Sequence, residues 1–304
     1  MNRRTFLQTT ALATAATAAR ALAQNSPATF AAAKGVTWPI GCLNRPWVNP
    51  DAGWTQETAL DGIQAAGYRL TGLLTPFKGE PFIGTDATTE YLAALKAKIT
   101  ARGLRANMGA IRLPNPLTVP EGIKSVRRQI DNARTLDLEF LLTFGVNQAT
   151  DYENYYRIMA DAAAYGQERG LKLVLKPHGG GSGAAEEIIR CLAQVKHPNF
   201  KIWYDAGNII YYTGKDPVEQ LKPIAEHVTG FCAKDCDKPK GEVFLEFGTG
   251  KVDFAAVFGE LKRAGFHGPV MVECCAKPPG ATAAGITAAA RKNREYLEHL
   301  FAAL

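Results

Sequence analysis

The chain has 304 residues, 46% hydrophobic and 21% charged, with a formal net charge of +6. That balance excludes a disordered chain, and no basic stripe with interleaved aromatics speaks for nucleic acid. Removing Arg3, Arg4 and Arg20 with a leader that holds no acidic residue takes +6 to +3, so the remainder is nearly neutral.

Residues 1–23 run from MNRRTFLQ through a weakly apolar alanine-rich stretch to small residues at Ala21 and Ala23, the pattern of a signal peptide. Arg3 and Arg4 before Thr5, Phe6, Leu7 and Gln8 resemble a twin-arginine export signal. The resemblance implies a protein that folds in the cytoplasm and then works in the periplasm. Residues 24–34 read as a linker and 35–304 as a single domain. After the leader no apolar run is long enough to span a membrane. The cysteines are Cys42, Cys191, Cys232, Cys236, Cys274 and Cys275. An even count in an exported protein suggests disulfides. A mature chain of about 280 residues, however, builds its core without such staples, so free thiols are expected. Cys42, Cys232 and Cys274 can still approach one another if their strands are neighbours.

From residue 35 onward, short apolar runs alternate with amphipathic helical stretches. VTWPIGC leads through the loop LNRPWVNPDAGW to a helix over ETALDGIQAAG. YRLTGLL precedes TTEYLAALKAKITARG, LRANMGAI precedes EGIKSVRRQIDNARTLD, and LEFLLTFG precedes YENYYRIMADAAAYGQERG. LKLVLK precedes GAAEEIIRCLAQV, FKIWYD precedes DPVEQLKPIAEHV, TGFCAKD precedes FAAVFGELKRAGFHG, and PVMVEC precedes TAAARKNREYLEHLF. Most of these helices stop at glycine or a polar turn. Eight strand–helix units without a glycine-rich nucleotide fingerprint after the first strand predict an α/β chain closed into a (β/α)8 TIM barrel.

The last four runs end in ionisable groups. LKLVLKPHGGGSG carries Lys176 and His178, KIWYDAGN carries Asp205 and Asn208, GFCAKD carries Lys234 and Asp235, and PVMVECC carries Glu273. Because side chains alternate along a strand, Val174 with Lys176, Trp203 with Asp205, Gly230 with Cys232 and Lys234, and Met271 with Glu273 should face the barrel interior. The opposite parity is apolar: Leu173, Leu175, Ile202, Tyr204, Phe231, Val270 and Val272 suit packing against helices. Charged groups near the carboxyl ends of barrel strands are costly to bury unless paired or used. Arg45 and Trp47 in the first loop could clamp and stack a sugar. The competing readings are structural. Lys176 could be a buried ion pair with Asp205 or Glu273, His178 a turn residue bonded to the glycine-rich loop, Asn208 a turn cap, Cys232 a core residue, and Lys234 with Asp235 a solvated rim pair.

With DAGN at Asp205–Asn208, AKD at Ala233–Asp235, GTGKVDF at Gly248–Phe254 and LKRAGFHGPVMVE ending in Glu273, the mature chain resembles the sugar phosphate isomerase/epimerase family of xylose isomerase-like barrels. The resemblance implies one divalent metal (Mn, Mg or Zn) held by a Glu, an Asp, a His and a second Glu from strands five to eight. Asp205 and Glu273 match two of these. Lys176 stands where the first Glu is expected and Cys232 where the His is expected. An ammonium repels a divalent ion by about 8 kcal/mol at ~4 Å with an effective dielectric of ~20. Two arrangements follow. Either His178, Asp205 and Glu273, with Cys232 as a further candidate ligand, hold a metal with Lys176 neutral or swung aside, or the ammonium takes the metal's place and polarises a substrate carbonyl, burial bringing its pKa towards the range of proton transfer.

The resulting expectation is an isomerase or epimerase, with a lyase possible, acting beside the carbonyl of a non-phosphorylated sugar, keto sugar or glycoside. Lys176, His178, Asp205 and Glu273 are the candidate catalytic residues, and Arg45, Trp47, Asn208 and Lys234 the candidate substrate-binding ones. Proton abstraction falls to Glu273 or His178. The alternative is a non-catalytic periplasmic sugar-binding barrel. Metal-dependent repair of abasic DNA is disfavoured, because His197, His227, His267 and His299 read as helix-end or loop residues.

Overall fold

The computed structural model describes residues 35–304, so the expected leader at 1–23 and linker at 24–34 lie outside the described residues. Strand β1 (Ile40–Leu43) leads to helix α1 (Gln56–Ala65), β2 (Leu70–Leu73) to α2 (Thr89–Ala101), and β3 (Arg105–Ala110) to α3 (Val119–Thr135). β4 (Phe140–Thr143) leads to α4 (Tyr152–Glu168), and β5 (Lys172–Leu175) to α5 (Ala185–Val195). β6 (Phe200–Tyr204) is followed by two short helices, α6 (Ala206–Thr213) and α7 (Pro217–Leu221). β7 (Val228–Ala233) leads to α8 (Phe254–Arg263), and β8 (Val270–Val272) to the last helix, α9 (Ala283–Ala303).

Local chemistry sets these boundaries. The Thr55 hydroxyl accepts from the Thr58 amide and that of Thr88 from the Tyr91 amide, satisfying donors that the first turns of α1 and α2 leave free. Beyond the ends of α2 and α4, Gly103 and Gly170 take φ values of 64° and 70°, the left-handed conformation that turns the chain into the next strand at least cost. All strands pair in parallel with their sequence neighbours, and β1 pairs with β8 through Gly41 and Met271, closing the eight-stranded barrel that the alternation predicts.

Two elements differ from expectation. The helix expected over 216–228 is broken into α7 and a 3-10 turn at Lys222–His227. Pro223 has no amide proton for an α-helical bond and its ring crowds the preceding turn. The DAGN segment expected to end a strand instead starts α6, because the Asp205 carboxylate caps it by accepting from the Asn208 amide at 2.8 Å.

The pleat sorts side chains as expected. Val174, Trp203, Cys232 and Met271 pack with Leu43, Met108, Phe140 and Leu142 inside the barrel, where Trp203 meets Phe140 edge-on at 5.1 Å. Leu173, Leu175, Ile202, Tyr204, Phe231, Val270 and Val272 belong to the layer between sheet and helices. Burying each such side chain contributes about 1.5–3 kcal/mol. Gly230 leaves the space that Trp203 fills, since a Cβ there would lie 2.1 Å from the indole. Cys42 is in the outer layer and Cys232 in the inner one, so the barrel wall separates two thiols expected as possible neighbours. All six cysteines are free and buried. Among the described residues no helix is long and apolar enough to cross a membrane.

Candidate active site

Residues immediately following strands stand at the carboxyl-terminal mouth of the barrel. Lys176 follows β5, Asp205 follows β6, Lys234 follows β7, Glu273 follows β8, and Asn44 with Arg45 follows β1. Inward parity and short strands bring five of these six into one cluster. Lys176 Nζ lies 2.9 Å from Asp205 Oδ2 and donates to Glu273 Oε2. Lys234 Nζ lies 3.0 Å from the same Asp205 oxygen, 3.2 Å from Glu273 Oε1 and 2.6 Å from Asn208 Oδ1. Arg45 closes the ring, its Nη1 donating to Glu273 Oε1 at 2.6 Å. Asp205 Oδ2 is in ion-pair range of both ammoniums but off the line of a hydrogen bond to either.

Three cations therefore surround two carboxylates, leaving one positive charge in excess. Burial alone raises the Glu273 carboxyl, but Lys176, Lys234 and Arg45 overcome it and hold the group well below the usual carboxylate range. Burial likewise disfavours charge on Lys176, yet Cys232, Glu273 and Asp205 outweigh it and hold the ammonium above its ordinary value. Cys232 is itself kept protonated by burial, so at neutral pH the carboxylates supply that effect. Lys234 is raised too: burial opposes its charge, and Asp205 and Glu273 restore it. The expectation that burial would make Lys176 a proton-transfer group is thus overturned, because two anions within contact distance outweigh the desolvation.

Asp205, Cys232 and Glu273 present ligand atoms within 4.8 Å of one another, a spacing that suits a metal ion. His178, expected as a third ligand beside Asp205 and Glu273, is not in this group. The donor spacing fits a divalent ion but the charge does not. Two ammoniums lie against the carboxylates that would bind it, and each ammonium–dication contact opposes binding by about 8 kcal/mol at ~4 Å with an effective dielectric of ~20.

Above the ion cluster is a cavity of about 320 Å³ whose lining includes Arg45, His178, Asn208, Tyr212, Lys234 and Phe244. Lys176, Asp205 and Glu273 lie beneath its floor, with side chains at most 1% exposed. His178 stands on the cavity wall between the Phe144 and Tyr212 rings, with centroids at 4.9 and 4.7 Å, and its Nε2 is 3.0 Å from the Tyr212 hydroxyl. Burial, reinforced by Lys176 and Lys234, lowers the imidazole pKa to about 4, so it is neutral at pH 7. Its backbone amide, 3.2 Å from the Ser182 hydroxyl, is tied to the glycine-rich loop. At Gly180 of that loop φ is 50°, and a Cβ would lie 2.7 Å from Asn147. Asn208, in the first turn of α6, also reaches back, its Nδ2 donating to the Pro177 carbonyl at 2.6 Å.

Two expected positions are corrected. Trp47 is fully buried in the outer layer against α1, so close that a Cβ on Gly62 would lie 2.3 Å from its ring nitrogen, and it is not available to stack a sugar. Asp235 is no rim residue. It is fully buried, and its carboxylate accepts from the amides of Cys236, Gly248, Gly250 and Val252 at 2.8–3.1 Å. It thereby fixes the 236–252 loop, which carries Phe244 to the cavity. Tyr212 and Phe244 escape sequence reading because only the fold of α6 and of this loop brings them to the mouth.

Residues 57–299 match the family described as Xylose isomerase-like TIM barrel, and the chain belongs to that family. Among curated relatives, it is 24% identical to the inosose dehydratase of Geobacillus kaustophilus (strain HTA426), across 86% of this chain and 94% of that protein. Its fold is shared with a D-allulose 3-epimerase from Methylomonas sp. (TM-score 0.68, 16% identity, 88% of this chain and 98% of that one). It is also shared with a D-psicose 3-epimerase from Clostridium cellulolyticum H10 (TM-score 0.69, 11% identity, 86% and 99%).

Proposed function

We propose that this chain is a sugar isomerase/epimerase-like enzyme that moves a proton beside the carbonyl of a non-phosphorylated sugar, keto sugar or glycoside. In this reading the Lys176 and Lys234 ammoniums provide the positive pole that a divalent ion would otherwise supply. The observation that carries it is Lys176 Nζ, 2.9 Å from Asp205 and bonded to Glu273 within the only donor group of metal-binding spacing among the described residues. Family membership and relatives named as epimerases and a dehydratase support a reaction that begins at a carbon next to a carbonyl.

The groups divide the work as follows. Glu273, fully buried beneath the cavity floor and bonded to three cations, is out of reach of a substrate in the cavity and serves to position those cations. His178 is neutral and faces the cavity, and so takes the proton from the carbon beside the carbonyl. The electron pair moves to the carbonyl oxygen, where Lys234 on the cavity floor, backed by Lys176, stabilises the enolate. Protonation of the opposite face of that carbon by solvent, with His178 passing its proton to solvent, gives the epimer. Return of the proton at the former carbonyl carbon, with the neighbouring hydroxyl giving its proton to the enolate oxygen and becoming the carbonyl, gives the isomer. Loss of a β-oxygen leaving group, protonated by Tyr212, gives elimination. The absence of a phosphate follows from the export reading of residues 1–23, since the periplasm rarely supplies sugar phosphates.

The test is a screen of keto sugars and oxidised glycosides, with Lys176→Met assayed on any that react. Removing a preorganised oxyanion partner should lower kcat by about 10²–10³. Binding of sugars with turnover of none, and a change only of affinity in Lys176→Met, would instead assign the barrel to sugar binding alone.

A further inference from the structure

A second cavity of about 370 Å³ opens on the same face of the barrel, between the first and second strand–helix loops. Trp54 and Phe77 give it an aromatic face, and Asn49, Gln56, Lys78 and Glu80 contribute polar groups. Gln56 is 1% exposed, and its Nε2 has no hydrogen-bond partner. A buried amide donor left unpaired is a cost that folding does not ordinarily retain.

The neighbouring network fixes which way that amide points. Asn44 Oδ1 accepts from the amides of Leu74 and Thr75 at 3.2 and 3.0 Å, so the other end of its side chain must donate. Asn44 Nδ2 gives one proton to the Thr75 carbonyl at 2.8 Å and the other to Gln56 Oε1 at 3.1 Å. Gln56 therefore offers its acceptor to Asn44 and keeps an N–H donor unpaired, on a buried nitrogen of a residue that lines the cavity. A pocket with an aromatic face and a fixed, unpaired amide donor among its polar groups suits a flat ring bearing an oxygen acceptor.

The pocket adjoins the candidate active site. Lys277 stands between the two cavities, its Nζ 5.4 Å from the Phe244 ring, which walls the first, and 5.8 Å from the Trp54 ring, which walls the second. It is held there by donating to the Val48 carbonyl at 2.7 Å. We infer that the second cavity is a subsite for an aromatic aglycone carrying an oxygen acceptor, so that the preferred ligand is an aryl glycoside with its sugar over the ion cluster. This deepens the proposed function and rests on it for placing the sugar.

Isothermal titration calorimetry of the mature protein with 4-nitrophenyl and methyl β-D-glucopyranoside tests the subsite without requiring turnover. The aryl glucoside should bind about tenfold more tightly, the equivalent of one good aromatic contact. Trp54→Ala should bring the two ligands to within about twofold of each other. Gln56→Glu keeps the acceptor that Asn44 requires and replaces the free donor with an acceptor. It should weaken the nitrophenyl ligand by about tenfold while sparing the methyl one. Equal affinities in the native protein, or an aryl preference that persists in both variants, would overturn the subsite. Native turnover of a keto sugar without aryl preference sinks this inference alone. A catalytically inert protein that still prefers the aryl ligand sinks the catalytic reading alone.

Discussion

Lys234 Nζ and Asn208 Oδ1 meet at 2.6 Å on the floor of the cavity, joining the end of β7 to the first turn of α6. The contact orients an ammonium whose remaining partners, Asp205 and Glu273, lie below it. The cavity thus presents a positive pole backed by two carboxylates, and its behaviour can be checked in several ways.

The first check concerns metal. With two ammoniums against Asp205 and Glu273, protein purified without chelator should carry well under one equivalent of manganese, magnesium or zinc by elemental analysis. Turnover should be the same with and without a chelator. One bound equivalent, lost together with activity on chelation, would mean that the ammoniums move aside.

The second concerns pH. Glu273 is depressed in the folded state, so its stabilisation is present above its unfolded value of about 4.3 and is lost as pH falls through the lower folded value. Lys176 and Lys234 are raised, so theirs is present below about 10.4 and is lost as pH rises through the folded values. His178, lowered to about 4, is neutral in the fold while the unfolded chain protonates it below about 6.5. Its stabilisation therefore fades between those two values as pH falls. Thermal melts should show a plateau from about pH 6.5 to 10, falling on the acid side. His178→Asn should remove the part of the fall between pH 6.5 and about 4. The acid limb of kcat/KM should lie near pH 4 and not near the value of a free histidine.

The third concerns the loop. Asp235→Ala removes a buried carboxylate that accepts from four backbone amides and leaves those donors unpaired. The expected cost is about 3 kcal/mol of stability, read as a lower denaturant midpoint. Hydrogen exchange should quicken across 236–252 before it does in the barrel strands. Unchanged exchange in that loop would show that its conformation does not depend on Asp235.

The fourth concerns the leader. Arg3→Lys together with Arg4→Lys should leave the unprocessed chain in the cytoplasmic fraction, whereas the native chain should appear in the periplasmic fraction about 23 residues shorter. Equal distribution of both would remove the export reading and, with it, the argument against phosphorylated substrates.

The sequence by itself determined the barrel and the inward face of its last four strands. Repeated short apolar runs and amphipathic helices leave few ways to bury both faces of a parallel sheet, and a period of two assigns Val174, Trp203, Cys232 and Met271 to one side without knowledge of any contact. It also placed Lys176, Asp205, Lys234 and Glu273 at strand ends, where the fold gathers them. Only the tertiary structure decided what that gathering means. The charge state of Lys176 depends on two carboxylates from other strands approaching to contact distance, which no local pattern encodes. Trp47 and Arg45 share one loop, yet packing against α1 buries the indole while the guanidinium reaches Glu273. Residues two apart in the chain thus meet opposite fates, because burial and electrostatics are set by partners distant in the chain and near in space.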